Sequence, residues 1–311
     1  MTIEYGRVAV TDVPVQRLSA ADLAGCLALA DDRGWPPEPD KWQLLFEVGE
    51  VFGIRDPAGG LAGAVALTRY GSDLAAIGMM LVAQRHGRRG LGRALMTHVL
   101  DQAGGVVTCL FATDFGRPLY ERLGFRPAYR SDRYIGPLAP GPLAPGPLAP
   151  GPLAPGPLAP GPAAAGGSVP VRPATPEDLP AIARLDRVAF GADRSGILAR
   201  LPQLSERFLV AAGPDGRAVR GFAASAELSG LLLAGPVVAD DLDVATALLT
   251  GLAADSGRPL RIEVASTHPG LARWAAGHGL TARSQAAFMT HGGVLPGRPG
   301  QVFGPLNVAM G

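Results

Sequence analysis

From Gly136 the unit Gly-Pro-Leu-Ala-Pro recurs five times, ending at Pro160, and Gly161-Pro162 and a run of small residues continue to Ser168. Proline at two of every five positions removes backbone donors and fixes φ, so neither a helix nor a sheet ladder can pass through this segment. The recurring glycine prevents a stiff rod. As polyproline II the repeats would span roughly 80 Å, and as a coil roughly 30 Å. The simplest reading is an inert tether, with a proline-rich ligand for a recognition domain as the alternative. A chain of 311 residues is long enough for two domains. The repeat therefore predicts domains over 1–135 and 168–311, joined by 136–167.

The two pieces read as copies of each other. Val13-Pro14-Val15 leads to Ser19, Asp22 and Leu23, and Val169-Pro170-Val171 leads to Thr175, Asp178 and Leu179 at the same spacing. Each predicts a short strand running into a helix capped by a hydroxyl residue, with an acid three positions on. Gly60 to Tyr70 and Asp73 to Val82 read as consecutive strands, matched by Ala218 to Glu227 and Gly230 to Val238. Gly78 then matches Gly235, and the amphipathic run Leu91 to Val99 matches Val244 to Leu252.

Between strand and helix the first copy carries Gln84-Arg85-His86-Gly87-Arg88-Arg89-Gly90-Leu91-Gly92-Arg93. A glycine-rich turn opening a helix offers unpaired N–H groups and the positive end of the helix dipole to an anion. Arginines can pair with phosphate oxygens in bidentate fashion. The turn is not a Walker A loop, because the only lysine in the chain is the distant Lys41. Nor is it a dinucleotide fingerprint, whose third glycine would fall on Leu95. The second copy is about four residues shorter here, reading Asp240-Asp241-Leu242-Asp243 with no glycine. Carboxylates there satisfy the helix end themselves and would repel a diphosphate.

The order strand, Arg-Arg-Gly-Leu-Gly-Arg-Ala-Leu, helix resembles the pyrophosphate loop of GNAT acetyltransferases. Their pattern Gln/Arg-x-x-Gly-x-Gly/Ala places its glycines on Gly90 and Gly92. Its first position falls on Gly87, a departure for which Arg85, Arg88 or Arg89 could supply the charge. Residues 112–125 resemble the GNAT helix that ends Tyr-x-x-x-Gly-Phe, with Tyr120 at the tyrosine and Gly124 at the helix end. Phe190-Gly191-Ala192-Asp193-Arg194, Gly235-Pro236-Val237-Val238 and Ala287-Phe288-Met289 resemble the degenerate C-terminal domain of the YitH-type tandem members. That resemblance implies an α/β fold of two tandem GNAT-like domains, each a mixed, twisted sheet flanked by helices and splayed between its fourth and fifth strands.

In that fold acetyl-CoA would lie in the split of the first domain. Backbone near Leu81 and Val82 would meet the pantetheine arm, and Gly87, Arg88, Arg89, Gly90, Leu91, Gly92 and Arg93 the diphosphate. Tyr120 would protonate the departing thiolate, or would simply pack its helix. A primary amine would attack directly, with Asp73, Glu47, Glu50 and His98 as possible bases. Trp35 falls where the acceptor pocket would lie, or packs. Asp193, Asp240, Asp241 and Asp243 would face a cationic amine, or serve as caps and a solvated loop. Ala275 stands where the second copy would need its tyrosine, so one cofactor is expected. The second domain is then expected to serve the acceptor side and to be removable without loss of cofactor affinity.

Composition narrows the classes further. A net charge of +1 provides no field to recruit nucleic acid or a membrane. Cys26 and Cys109 have no Cys-x-x-Cys or histidine partner, which predicts neither a metal site nor a disulfide framework. The first residues do not read as a signal peptide, and no apolar run approaches the ~20 residues of a membrane span. The expectation is a cytoplasmic monomer or homodimer acting on a small-molecule amine. The competing class is a non-catalytic acetyl-CoA sensor or scaffold, which would have no use for a proton donor at the sulfur.

Overall fold

The computed structural model describes residues 14–138, 169–213 and 218–310. The repeat beyond Leu138, with the tether assigned to it, lies outside them. The first half runs β1 (Gln16–Arg17), α1 (Leu23–Asp32), α2 (Pro39–Val48), β2 (Glu50–Arg55), β3 (Leu61–Tyr70), β4 (Leu74–Val82), α3 (Leu91–Ala103), β5 (Val107–Ala112), α4 (Arg117–Arg122) and β6 (Arg126–Gly136). The second runs β7 (Val171–Pro173), α5 (Leu179–Phe190), α6 (Ser195–Leu198), α7 (Leu201–Leu204), β8 (Arg207–Ala212), β9 (Val219–Leu228) and β10 (Leu231–Ala239). It continues through α8 (Leu242–Ala253), β11 (Leu260–Ala265), α9 (Pro269–Gly277), β12 (Thr281–His291) and β13 (Val302–Gly304).

Local rules account for most of these elements. Ser19 and Thr175 each head a capping box, their N–H groups donating to Asp22 at 2.9 Å and Asp178 at 2.8 Å. Helix α3 buries Leu91, Leu95, Val99 and Ala103 at a spacing of four, one face of a 3.6-residue helix. It stops at Gly104, whose φ of 71° suits a residue without a Cβ. Strands β3 and β4 are apolar almost throughout because both of their faces are covered.

The strands form one continuous sheet, ordered β1-β2-β3-β4-β5-β12-β6-β11-β10-β9-β8-β7. The halves thus interleave: β12 of the second half lies between β5 and β6 of the first. Its Ala287 to His291 run antiparallel to Ala112 to Thr108, and its Thr281 to Thr290 to Ile135 to Arg126. Strand β6 then pairs with β11 from Ser131–Ala265 to Gly136–Leu260, using the first residue of the repeat. Each half places its last long strand inside the other. Among the described residues the path ends at the two-residue β1 and the three-residue β7, so its outer edges are short.

Packing reinforces the exchange. One face of the sheet carries two separate clusters, under α3 in the first half and under α8 in the second. The other face carries a cluster that both halves share. It joins Cys26, Leu29, Trp42 and Leu45 of α1 and α2 to Ile182, Ile197 and Leu201 of α5 to α7. Cys26 and Cys109 are free, buried thiols, and burial pushes both up to about 12, which keeps them in the thiol form.

Candidate functional site

Strand β4 is where the two halves of the duplicated fold diverge in chemistry. It runs parallel to β5 only from Leu74–Val107 to Ala76–Cys109, after which the strands splay. Ile77, Gly78, Leu81 and Val82 pair with β3, and among the described residues no strand covers the other edge of this stretch. The β3 register shifts between Ala64 and Ala66, opposite a bulge in which Met79 has a φ of 49°. Such a bulge re-aims backbone groups, here into an open groove that contains Leu81 and Val82.

The groove ends at the glycine-rich turn. Gly90 is the N-cap of α3, with a φ of 82°, and Arg88 holds a φ of 62°, a conformation that costs a non-glycine residue roughly 1–2 kcal/mol. Gly92 sits tightly: a Cβ there would lie 3.2 Å from Met80 and 3.3 Å from Leu119. This brings β4, the turn and α4 together. Arg88, Arg89 and Arg93 are exposed, and among the described residues none has a carboxylate partner. Arg85 does not join them, because its guanidinium is turned back onto Asp56 at 2.6 Å. The charge at this turn therefore comes from Arg88, Arg89 and Arg93.

Helix α4 packs Tyr120 into the cluster under α3, with Ile77, Met80 and Val82 of β4. Pro118 lies in its first turn and Gly124, with a φ of 91°, follows its end. The Tyr120 ring is 7% exposed, packs edge-on to Phe125 at 5.9 Å and lies over Gly116, where a Cβ would come within 3.1 Å. Burial pushes its hydroxyl up to about 12, so it keeps its proton at any ordinary pH. Among the described residues no group hydrogen-bonds that hydroxyl, and its oxygen is not one of the fully buried unpartnered atoms, so it faces solvent.

The connection between α1 and α2 bridges the two lips of the groove. Asp32 accepts the Gln84 N–H at 2.6 Å on the β4 side. Arg33 stands 5.1 Å over the ring of Phe115, which is 81% exposed beside α4. Trp35, 40% exposed, lies in this bridge. Asp32 and Phe115 carried no sequence signal, since each gains its place only through a contact distant in the chain.

The possible bases lie elsewhere. Asp73 is in the turn at the opposite end of β4. Glu50 is held between Arg17 at 3.4 Å and Arg69 at 3.5 Å, and Glu47 pairs with Arg200 at 3.6 Å. His98 packs edge-on to Phe52 at 4.7 Å. Of the acids of the second half, Asp193, Asp240 and Asp241 are turn, cap or ion-pair members, and Asp243 is exposed in the first turn of α8. Asp241 caps α8 through the Val244 N–H at 2.9 Å and accepts Arg220, which also reaches Asp240, while Asp193 accepts the Ser195 N–H at 2.9 Å.

The second half has the matching splay, and its own chain fills it. Strand β10 leaves β11 after Leu233, and β13 pairs with β10 at Val237–Gly304 and Val238–Val302. With Gly78 matched to Gly235, Val237 and Val238 correspond to Met80 and Leu81. Backbone that is open in the first half is therefore ladder-bonded in the second. His268 fixes the filler by donating from Nε2 to the Val302 carbonyl at 2.9 Å and stacking on Phe303 at 4.3 Å. Ala275 is fully buried at the counterpart of Tyr120. Beyond β13 the chain returns to the first half, where Ala309 packs so closely on Gly78 that a Cβ would collide with it. Tyr70 donates to the Met310 carbonyl, and Leu306, Ala309 and Met310 join Met79 and Leu81 in the shared cluster.

Among the described residues no three His, Cys, Asp or Glu side chains converge to hold a metal ion, and no helix is long and apolar enough to cross a membrane.

Two family models, both described as acetyltransferase (GNAT) domain, match residues 47–127 and 182–304, well over half of the chain together. The uncharacterized N-acetyltransferase YitH of Bacillus subtilis (strain 168) is 28% identical over 258 residues, 82% of this chain and 83% of that protein. A putative acetyltransferase from Pyrococcus horikoshii has a similar fold, with a TM-score of 0.74 at 19% identity over 98% of each chain. A tandem GNAT protein from the clavulanic acid biosynthesis pathway gives 0.60 at 16% identity over 90% of this chain and 99% of its own. An open β4 edge, a glycine turn on α3 and their duplicated, filled counterpart thus coincide with matches in both halves, and the chain belongs to the GNAT acetyltransferases as a tandem two-domain member.

Proposed function

We propose that the protein is an acetyl-CoA-dependent N-acetyltransferase, with a single active site in the first half and a small primary amine as acceptor. The observation that carries this reading is Tyr120, a buried ring whose hydroxyl stays protonated and has no hydrogen-bond partner among the described residues, packed in the same cluster as Met80 and Val82 of the strand whose far edge is unpaired. A scaffold needs no proton donor there.

The residues present fit the co-substrate. The unpaired edge of β4 at Leu81 and Val82 offers N–H and C=O groups to an amide-bearing arm. Gly90, Leu91 and Gly92 at the start of α3 would offer backbone N–H groups to a diphosphate, which Arg88, Arg89 and Arg93 would neutralise, while the Gly87 N–H is spent on the Gln84 carbonyl at 3.0 Å. When bound, acetyl-CoA supplies a thioester carbonyl open to direct attack by an amine, with the CoA thiolate leaving. Tyr120 holds its proton on Oη until the sulfur gains charge, then donates it and takes a proton back from solvent. The acceptor's own proton leaves through water, since none of Asp73, Glu47, Glu50 and His98 stands in the groove. The bridge carrying Trp35 and the segment Leu306–Met310 are proposed to bound the acceptor side, which gives the second half its part in the reaction.

Tyr120→Phe keeps the ring against Phe125 but removes the donor. It is expected to lower kcat by about 10²-fold or more while leaving the acetyl-CoA Kd within a factor of two. Turnover with a panel of primary amines, read by intact-mass detection of products, measures this, and equal kcat would reduce Tyr120 to a packing residue. Stoichiometry offers a separate check. Because β13 already bonds the edge of β10, calorimetry on the full chain is expected to give one acetyl-CoA per protomer. Two would refute the filled-groove argument.

A further inference from the structure

We propose that Asp56 is a positioning residue, which pre-orders the 87–92 turn for the diphosphate by holding Arg85 and His86 and does not touch the ligand itself. This rests on the reading that the turn takes the diphosphate of acetyl-CoA.

Asp56 lies in the tight connection between β2 and β3. Its N–H donates to the Gly60 carbonyl at 3.1 Å, and its own carbonyl accepts the Gly59 N–H at 2.9 Å, so its backbone is fixed from both sides. Its side chain is buried behind the turn, with Oδ1 accepting the Ala58 N–H at 2.9 Å. Oδ2 accepts Nε and Nη2 of Arg85 at 2.9 and 2.6 Å, and Nε2 of His86 at 2.6 Å. An ionised carboxylate can only accept, so that ring nitrogen carries its hydrogen. Burial by itself would raise this carboxyl, but the donors from His86, Ala58 and Arg85 outweigh it and hold the group at about 2. The anchor is therefore charged throughout the working range.

Arg85 and His86 immediately precede Gly87. Two residues later Arg88 adopts its positive φ, a conformation that persists only where the surrounding structure over-determines it. Asp32 holds the same short segment from the other side through the Gln84 N–H. With its start pinned, the turn enters binding already shaped, and less ordering is required when the ligand arrives. A negative charge facing the diphosphate would weaken binding, so Asp56 helps only from behind the turn and through its two partners.

Asp56→Asn preserves shape and removes the charge. In the full chain it is expected to weaken acetyl-CoA binding about tenfold or more, the scale of one charge-assisted hydrogen bond. Affinity for S-acetylpantetheine, which lacks the diphosphate, is expected to stay unchanged, and amide exchange at 87–92 in the free protein is expected to quicken. If Asp56→Asn does not fold, Asp56→Ser provides the same comparison with a smaller acceptor. Asp178→Asn is the control for general loosening, since Asp178 is an equally paired carboxylate, also held at about 2, at the far helix cap of the second half. The double variant Asp56→Asn/Arg85→Gln is expected to bind no worse than the weaker single variant, because both act in one linkage. Wild-type affinity in the Asp56 variants, or equal losses for S-acetylpantetheine or in Asp178→Asn, would overturn the positioning role alone. A wild-type protein that binds no acetyl-CoA would overturn the functional reading and this proposal with it.

Discussion

A chain that stops at residue 135 is expected to remain unfolded, and so is one that begins at 168, whereas the two co-expressed are expected to fold as a complex. Strand β12 supplies the partner of β5 from Thr108 to Ala112 and of β6 along most of its length. Without it the first half has two long bare edges, and α1 and α2 lose the apolar surfaces of α5 to α7. Bare edges and an uncovered apolar face favour aggregation over a native monomer. The second half fares no better, because β6 lies between its β11 and β12. The expectation from sequence that the second domain can be removed with cofactor affinity intact therefore fails on the topology. The intact protein is expected to melt in one transition. The check is near-ultraviolet dichroism and thermal melting of each fragment alone and of the co-purified pair. A 1–135 fragment with cooperative melting and native dichroism would refute the strand exchange.

The second large effect is expected at Gly90. Replacement by aspartate places a carboxylate at the N-cap of α3, on the side from which the diphosphate is proposed to approach. Aspartate tolerates the left-handed region better than most residues and is itself a good N-cap, so the fold should survive. The ligand should not. A like-charge contact costs several kcal/mol, and each 1.4 kcal/mol is about tenfold, so the acetyl-CoA Kd is expected to rise about 100-fold or more. Calorimetry with melting temperature as the folding control measures this. Unchanged affinity in a folded Gly90→Asp protein would remove the turn from the site.

These two expectations differ in how much of each was visible in the chain itself. Gly90 and Gly92 stand out in sequence because a turn that must open a helix with positive φ and admit a phosphate has few residues to choose from. The same holds for Ser19 with Asp22 and Thr175 with Asp178, where cap and acid are three residues apart and interact only with each other. Tyr120 was legible through the proline and glycine that delimit its helix. Its missing hydrogen-bond partner was not, since that depends on what surrounds the ring. Arg85 is the instructive failure: in sequence it is one more cation beside the turn, and only Asp56, 29 residues earlier, shows that it points away.

What the sequence determined by itself was the set of pieces: a duplicated order of strands and helices, their caps and ends, and a glycine turn in one copy that the other lacks. Those features are local, set by periodicity and by backbone conformations that few residues adopt. Tertiary structure decided which strand pairs with which, and hence that one groove stays open. Strand β12 could satisfy its ladder beside β11 of its own half as well as beside β5, because backbone hydrogen bonds are the same in either place. Likewise Val302-Phe303-Gly304 is a short apolar run with nothing in it to specify β10 as partner. The choice between such pairings rests on the shared apolar face of α1, α2 and α5 to α7, a property of the assembled chain that no single segment contains.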